Sequence, residues 1–180
     1  MQWLDLTRPI EAPTTDNSGQ THMDIGIIGN APPVEDFIQP GVCLDVRTQA
    51  AAGSIGLAGV DLANVTEGCA VVFNTGWERH FGTPTYTDCP DIQYELVDAL
   101  IDRGAKLLMV DSPGLYGGAR SERHSAMDLH IVDRGAIAVE HLCNVDQLPR
   151  TFTLYCFPLK VTGQNWLPAR VIASWEPSTV

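Results

Sequence analysis

Two stretches of this 180-residue chain hold the side chains that can do chemistry. The first is "DNSGQTHMD", residues 16–24. If its end is extended, His22 and Asp24 lie two apart and point to the same face. An imidazole nitrogen and a carboxylate oxygen on one face can bind a divalent ion such as zinc or manganese, and the same pair can also be a plain loop hydrogen bond. The second stretch is "ERHSAMDLHIVDRGAIAVEHL", residues 122–142. On a helix, His124 and Asp128 are four apart and share a face, whereas His130 is six from His124 and falls well off that line. On the strand that follows, Ala136, Ala138 and Glu140 face one way and Ile137, Val139 and His141 the other. A glutamate turned into a packed interior is costly unless a cation or donors meet it, so Glu140 is a better ligand candidate than His141. Arg170 is its plainest partner.

Other chemistries find less support. There is no G-x-S-x-G elbow, and Ser112 sits in "DSPG", a turn where its hydroxyl can serve the backbone. The glycines of "SPGLYGGAR" match neither the Walker nor the dinucleotide pattern and read as a flexible loop.

The elements that must position these residues follow from hydrophobic periodicity. Alternating or compact apolar runs predict strands over 41–47, 69–77, 106–111, 136–142, 151–161 and 169–177. Asp91 is placed to cap a helix in which Tyr94, Val97, Leu100 and Ile101 recur at helical spacing and Gly104 ends the run. A second helix is expected from about Glu122 to Arg134, closed by Gly135. The first forty residues, rich in Pro, Thr, Asp, Gly and Asn, read as short extended pieces joined by loops, with Thr21–Asp24 in a polar loop outside the sheet. The sum is one α/β domain over 1–180, dominated by sheet, with two main helices.

Composition bounds the partners. Apolar residues make up 44% and charged residues 18%, an ordinary globular balance. A net charge of -11 repels phosphate backbones and anionic membranes, so neither nucleic acid nor a membrane is an expected partner. No apolar run approaches the roughly 20 residues of a bilayer crossing. Cys43, Cys69, Cys89, Cys143 and Cys156 are odd in number, widely spaced and follow no export signal, which points to reduced thiols and a cytoplasmic location.

Seven segments, in order, carry a resemblance: "LDLTRPI", "THMD", "GVCLDVR", "VVFNTGWERHFGTPTY", "AKLLMVDSPG", "AIAVEHLCNVDQLP" and "YCFPLKVTGQNWLPARVIA". Together they resemble the cyclase family of metal-dependent hydrolases, which contains bacterial kynurenine formamidases and isatin hydrolases. The resemblance implies a swivelling β/β/α fold, a homodimer or homotetramer, and hydrolysis of a small amide, lactam or ester by metal-activated water. The family's ligand motif reads His-x-Gly-Thr-His-x-Asp-Ala-Pro-x-His. Its middle is present here as Thr21, His22 and Asp24, its first His falls on Ser18 or Asn17, and "IGII" (25–28) stands where its Ala-Pro-x-His would be. Glu140 occupies the family's later Glu position, with Asp128 where a His is usual twelve residues earlier. On this reading His22, Asp24, Asp128 and Glu140 hold one zinc or manganese ion, or none, and His124 or His130 moves protons. Trp77 and Tyr116, with Trp3 and Phe73, are the candidates for an aromatic wall around a small-molecule substrate. The altered motif also fits a relative that has lost hydrolysis and works as a metal-free cyclase or dehydratase, or as a small-metabolite-binding protein.

Overall fold

The computed structural model describes residues 1–9, 20–24, 33–118 and 121–177. Its centre is a parallel group of four strands, β3 (Ile38–Asp45), β5 (Ala70–Asn74), β7 (Leu107–Val110) and β8 (Ile137–Glu140), in the lateral order β8-β7-β5-β3. β7, LLMV, is apolar throughout and β5, AVVFN, is apolar up to its last residue, Asn74, because both faces are covered. Parallel neighbours need crossovers, and the two main helices supply them: α2 (Tyr94–Asp102) between β5 and β7, and α3 (Glu122–Asp133) between β7 and β8. A short helix, α1 (Arg47–Ala51), follows β3, and β4 (Ser54–Ile55) pairs with β6 (Asp91–Ile92) apart from the main sheet.

Antiparallel strands complete the main sheet. β2 (His22–Asp24) joins β8 to the long β10 (Trp166–Trp175), while β9 (Thr151–Pro158) pairs with β3 on one side and β10 on the other. The sheet therefore closes on itself as a barrel. β1 (Gln2–Asp5) lies beyond β2 along the same edge of β10.

Alternation along each strand sorts side chains into two cores. Met23, Ala70, Val72, Leu107, Met109, Val139, Leu154, Leu167 and Val171 fill the barrel. Gly41 on β3 makes room for Phe152, whose ring would lie 2.2 Å from a Cβ there. Val71, Phe73, Leu108, Val110 and Ala138 point outward, against Leu96, Val97 and Leu100 of α2 and Met127 and Ile131 of α3. Full burial of each such Leu, Val or Phe contributes roughly 1.5–3 kcal/mol.

The expected strands and both main helices are present, with differences at the edges. α2 begins after Gln93, not at Asp91, because Asp91 is drawn into β6, where its carboxylate accepts from Gly117 N–H and pairs with Arg123. His22–Asp24 is a buried strand rather than a loop: its three residues are held between β8 and β10 by pairing on both edges. All five cysteines are free thiols. Among the described residues no helix is long and apolar enough to cross a membrane.

Candidate active site

Register alone brings the two sequence stretches together. His22 lies opposite Glu140, and Asp24 opposite Ala138, across the β2–β8 ladder. Met23 and Val139 enter the barrel, so His22, Asp24 and Glu140 must emerge on the outer face, beneath α3. α3 starts at Ser121, whose hydroxyl accepts from His124 N–H at 3.1 Å. From that start Met127 and Ile131 are buried, and His124 and Asp128, four apart, border the same stripe above Glu140.

Asp24, His124, Asp128 and Glu140 each offer one ligand atom, and these atoms all lie within 4.8 Å of one another. His124 Nε2 is 3.2 Å from Asp128 Oδ2, and His124 Nδ1 is 3.8 Å from Glu140 Oε1. His22 approaches from below, its Nε2 3.3 Å from Asp24 Oδ2 and 3.6 Å from Glu140 Oε2. His22 Nδ1 meets the Gln20 carbonyl at 2.8 Å. A carbonyl only accepts, so Nδ1 carries a proton and donates it there, which turns Nε2 toward the two carboxylates.

That arrangement is electrostatically incomplete. Asp24 Oδ2, His124 Nδ1, Asp128 Oδ1 and Glu140 Oε1 are buried without a hydrogen-bond partner. Arg170, the plain alternative for Glu140, is paired with Asp5 at 2.7 Å on another part of the sheet. Burial raises the Glu140 carboxyl well above its ordinary range, and Asp24 and Asp128 push it further. Burial, then Asp24, lifts Asp128 to about 8. His124 is moved the other way, lowered by burial against the opposing pull of Asp24. Lone pairs facing one another out of water need a cation or shared protons between them. Oxygen and imidazole donors at this spacing, with a carbonyl orienting one ring from behind, fit a divalent cation.

The structure sorts the other expected residues. His130 lies away from the cluster, 2.7 Å from Asp98 of α2 and edge-on to Tyr94. Its six-residue offset from His124 turns it to a different side of α3. Trp77 is held by its backbone N–H to Asp111 and by its indole N–H to the Tyr86 carbonyl. Tyr116 packs edge-on against Tyr94 with Arg123 over its ring. Trp3 lies on Tyr155 at the sheet surface, and Phe73 is wholly inside the core between sheet and helices. Residues 17, 18 and 25–28, where the ligand motif departs from the family pattern, fall outside the described residues.

Two aromatic rings lie near the cluster, Trp166, which no motif marks, and His141, which alternation ranks below Glu140. Trp166, opposite Asp24 on β10, sets its ring 5.8 Å from His22. His141, assigned by alternation to the face opposite Glu140, leaves the strand at a φ of 59° and lies 5.4 Å from the His22 ring. Such a conformation is uncommon for a non-glycine residue. Its Nδ1 is 3.0 Å from the Tyr86 hydroxyl, and burial lowers its pKa to about 2, so the ring is neutral.

Comparison with known proteins gives the fold its setting. The family model described as "Putative cyclase" matches residues 4–115. No curated protein matches the chain. Isatin hydrolase A from Labrenzia aggregata, solved with benzyl benzoate, is similar at a TM-score of 0.77 and 20% identity, over 96% of this chain and 93% of that one. Isatin hydrolase A from Ralstonia solanacearum gives 0.74 and 20%, over 96% and 91%. A predicted metal-dependent hydrolase from Bacillus stearothermophilus gives 0.69 and 18%, over 96% and 97%. These likenesses establish a shared fold along nearly the whole chain. Because the family model spans more than half of the 180 residues, the chain belongs to the cyclase family.

Proposed function

We propose that the protein is a metal-dependent hydrolase of a small amide, lactam or ester. The observation that carries this reading is the convergence of Asp24, His124, Asp128 and Glu140, each with a buried polar atom that has no hydrogen-bond partner. These four residues would hold the ion, with His22 Nε2 a further donor. A bound divalent ion supplies a Lewis acid for a carbonyl and brings the pKa of water toward neutrality.

The chain's own residues prepare the rest. The Gln20 carbonyl accepts from His22 Nδ1–H and so aims Nε2 at the place the ion would take. The neutral His141 ring, steadied by Tyr86 beside His22, would orient water or substrate by a hydrogen bond, in a part of the site that His130 does not reach. Trp166, half-buried beside His22, offers a flat apolar wall to a substrate. The substrate class is supported by the isatin hydrolases among the similar structures, which act on a lactam by their name. A homodimer or homotetramer is part of this reading, supported by Ile38, Phe157 and Leu159, apolar and exposed on the sheet face around β9.

A second reading has its own observation. Asp24 and Glu140 bring oxygens within 4.8 Å of each other, and burial favours a protonated Glu140, so a proton held between them can do what a cation would. This is the metal-free family member, a cyclase, dehydratase or metabolite-binding protein. Chelator-stripped protein assayed on an N-formyl arylamine and on an aromatic lactam decides between them. Turnover that appears only on adding zinc or manganese supports the hydrolase; an undiminished rate in excess chelator overturns it.

A further inference from the structure

The loop between β7 and α3, "DSPGLYGG" (111–118), is built as a dock for α3, and two of its glycines, Gly114 and Gly117, are where the helix touches it. A Cβ on Gly114 would stand 2.4 Å from His124 Nδ1, 2.8 Å from His124 Cε1 and 3.5 Å from Glu140 Oε1. A Cβ on Gly117 would stand 2.4 Å from the Cβ of Arg123 and 2.8 Å from the Ser121 hydroxyl. Contacts below 3.0 Å cannot be absorbed without something moving. The loop is itself anchored: the Ser112 hydroxyl donates to the Gly114 carbonyl at 2.8 Å, Cys89 Sγ lies 3.5 Å from that same oxygen, and Gly117 N–H donates to Asp91 at 2.7 Å. Asp91 also pairs with Arg123, so it ties the loop and the first turn of α3 to one point. Neither the loop backbone nor the helix start is free to retreat.

We infer that Gly114 is a positioning residue for the site: its missing side chain is the space into which the His124 ring fits to reach Glu140. Any larger residue there turns His124 out of the cluster while leaving Asp24, Asp128 and Glu140 in place. The inference rests on reading those residues as ligands. It goes beyond that reading because it gives a residue that bears no donor side chain control over how many donors the site has.

The test is a cycle of Gly114→Ala, His124→Ala and the double substitution, read by zinc affinity in competition with a chromophoric chelator and by the melting temperature of the metal-free proteins. Gly114→Ala is expected to weaken zinc binding at least about tenfold, the scale of losing a partner that orients a ligand. In the His124→Ala background the same change should cost no further affinity and no melting temperature, because the ring it collides with is gone. If Gly114→Ala alone fails to fold, a folded double variant still supports the inference, and an unfolded one overturns it. Unchanged affinity in Gly114→Ala overturns it, as does an equal loss in both backgrounds, which would make the glycine a general fold residue. A wild type that takes no zinc instead overturns the metal reading on which the inference stands.

Discussion

Helix α3 carries two histidines, each beside an aspartate, and their surroundings could hardly differ more. His130 meets Asp98 at 2.7 Å, and Arg134 from the next turn pairs with both Asp98 and Asp102. That group is about one-third exposed, its positive and negative charges alternate, and it ties α3 to α2. His124 meets Asp128 at 3.2 Å, but with side chains only 14% and 13% exposed and no arginine or lysine paired into the group among the described residues. Instead it faces two more carboxylates. The same two residue types in contact make a surface clamp in one place and an unbalanced donor cluster in the other. Charge balance and burial, not the His–Asp pair, separate structure from chemistry here.

The sharpest way to break this contrast is at Glu140, which faces both His22 and His124. Glu140→Gln keeps the shape and removes the charge, and zinc affinity should fall by more than about 100-fold, beyond what loss of an outer-shell partner costs. Isothermal titration reads this directly. His22→Ala should also lose metal, and in addition lose about 2–4 kcal/mol of stability in urea melts. His22 is a buried strand residue whose removal leaves a cavity and takes away its hydrogen bond to the Gln20 carbonyl, not a loop residue that can be trimmed freely.

A subtler prediction concerns pH in metal-free protein. The folded state holds the Asp128 proton up to about 8, whereas the unfolded chain releases it near 4. Between those values the native state binds more protons, so this group's contribution to stability is present at low pH and lost as pH rises. Asp128→Asn removes the penalty. The variant should be more stable than wild type at pH 8 by at least about 1 kcal/mol, with the gap closing toward pH 4, in parallel thermal melts. The smallest effect is expected at the other pair. His130→Ala should change zinc affinity less than about twofold and stability by about 1 kcal/mol or less, as an exposed clamp does.

Much of the scaffold was legible because local periodicity determines it. The apolar runs of β5 and β7 and the spacing of Tyr94, Val97, Leu100 and Ile101 in α2 follow from burial that each segment needs by itself. Glu140 was found by the same logic, since alternation put a carboxylate among residues that must be covered. The barrel's closure was not legible: β9 pairing with both β3 and β10 depends on partners far apart in the chain. Nor was β2, whose three residues have too little hydrophobic pattern to stand out and become a strand only because β8 and β10 flank them. His141 was placed on the wrong side because alternation assumes a regular strand, and the backbone turns at that residue. Gly114 bears no functional group, so only its distance to His124 reveals it.

The central claim is that Asp24, His124, Asp128 and Glu140 share one cation. Crystals soaked in manganese and measured near its absorption edge test it most directly. The account predicts one anomalous peak per chain, between β2, β8 and α3, within about 2.0–2.4 Å of donor atoms from these residues. Empty density there, with the carboxyl groups in direct contact with one another, would contradict it and leave the shared-proton reading in its place.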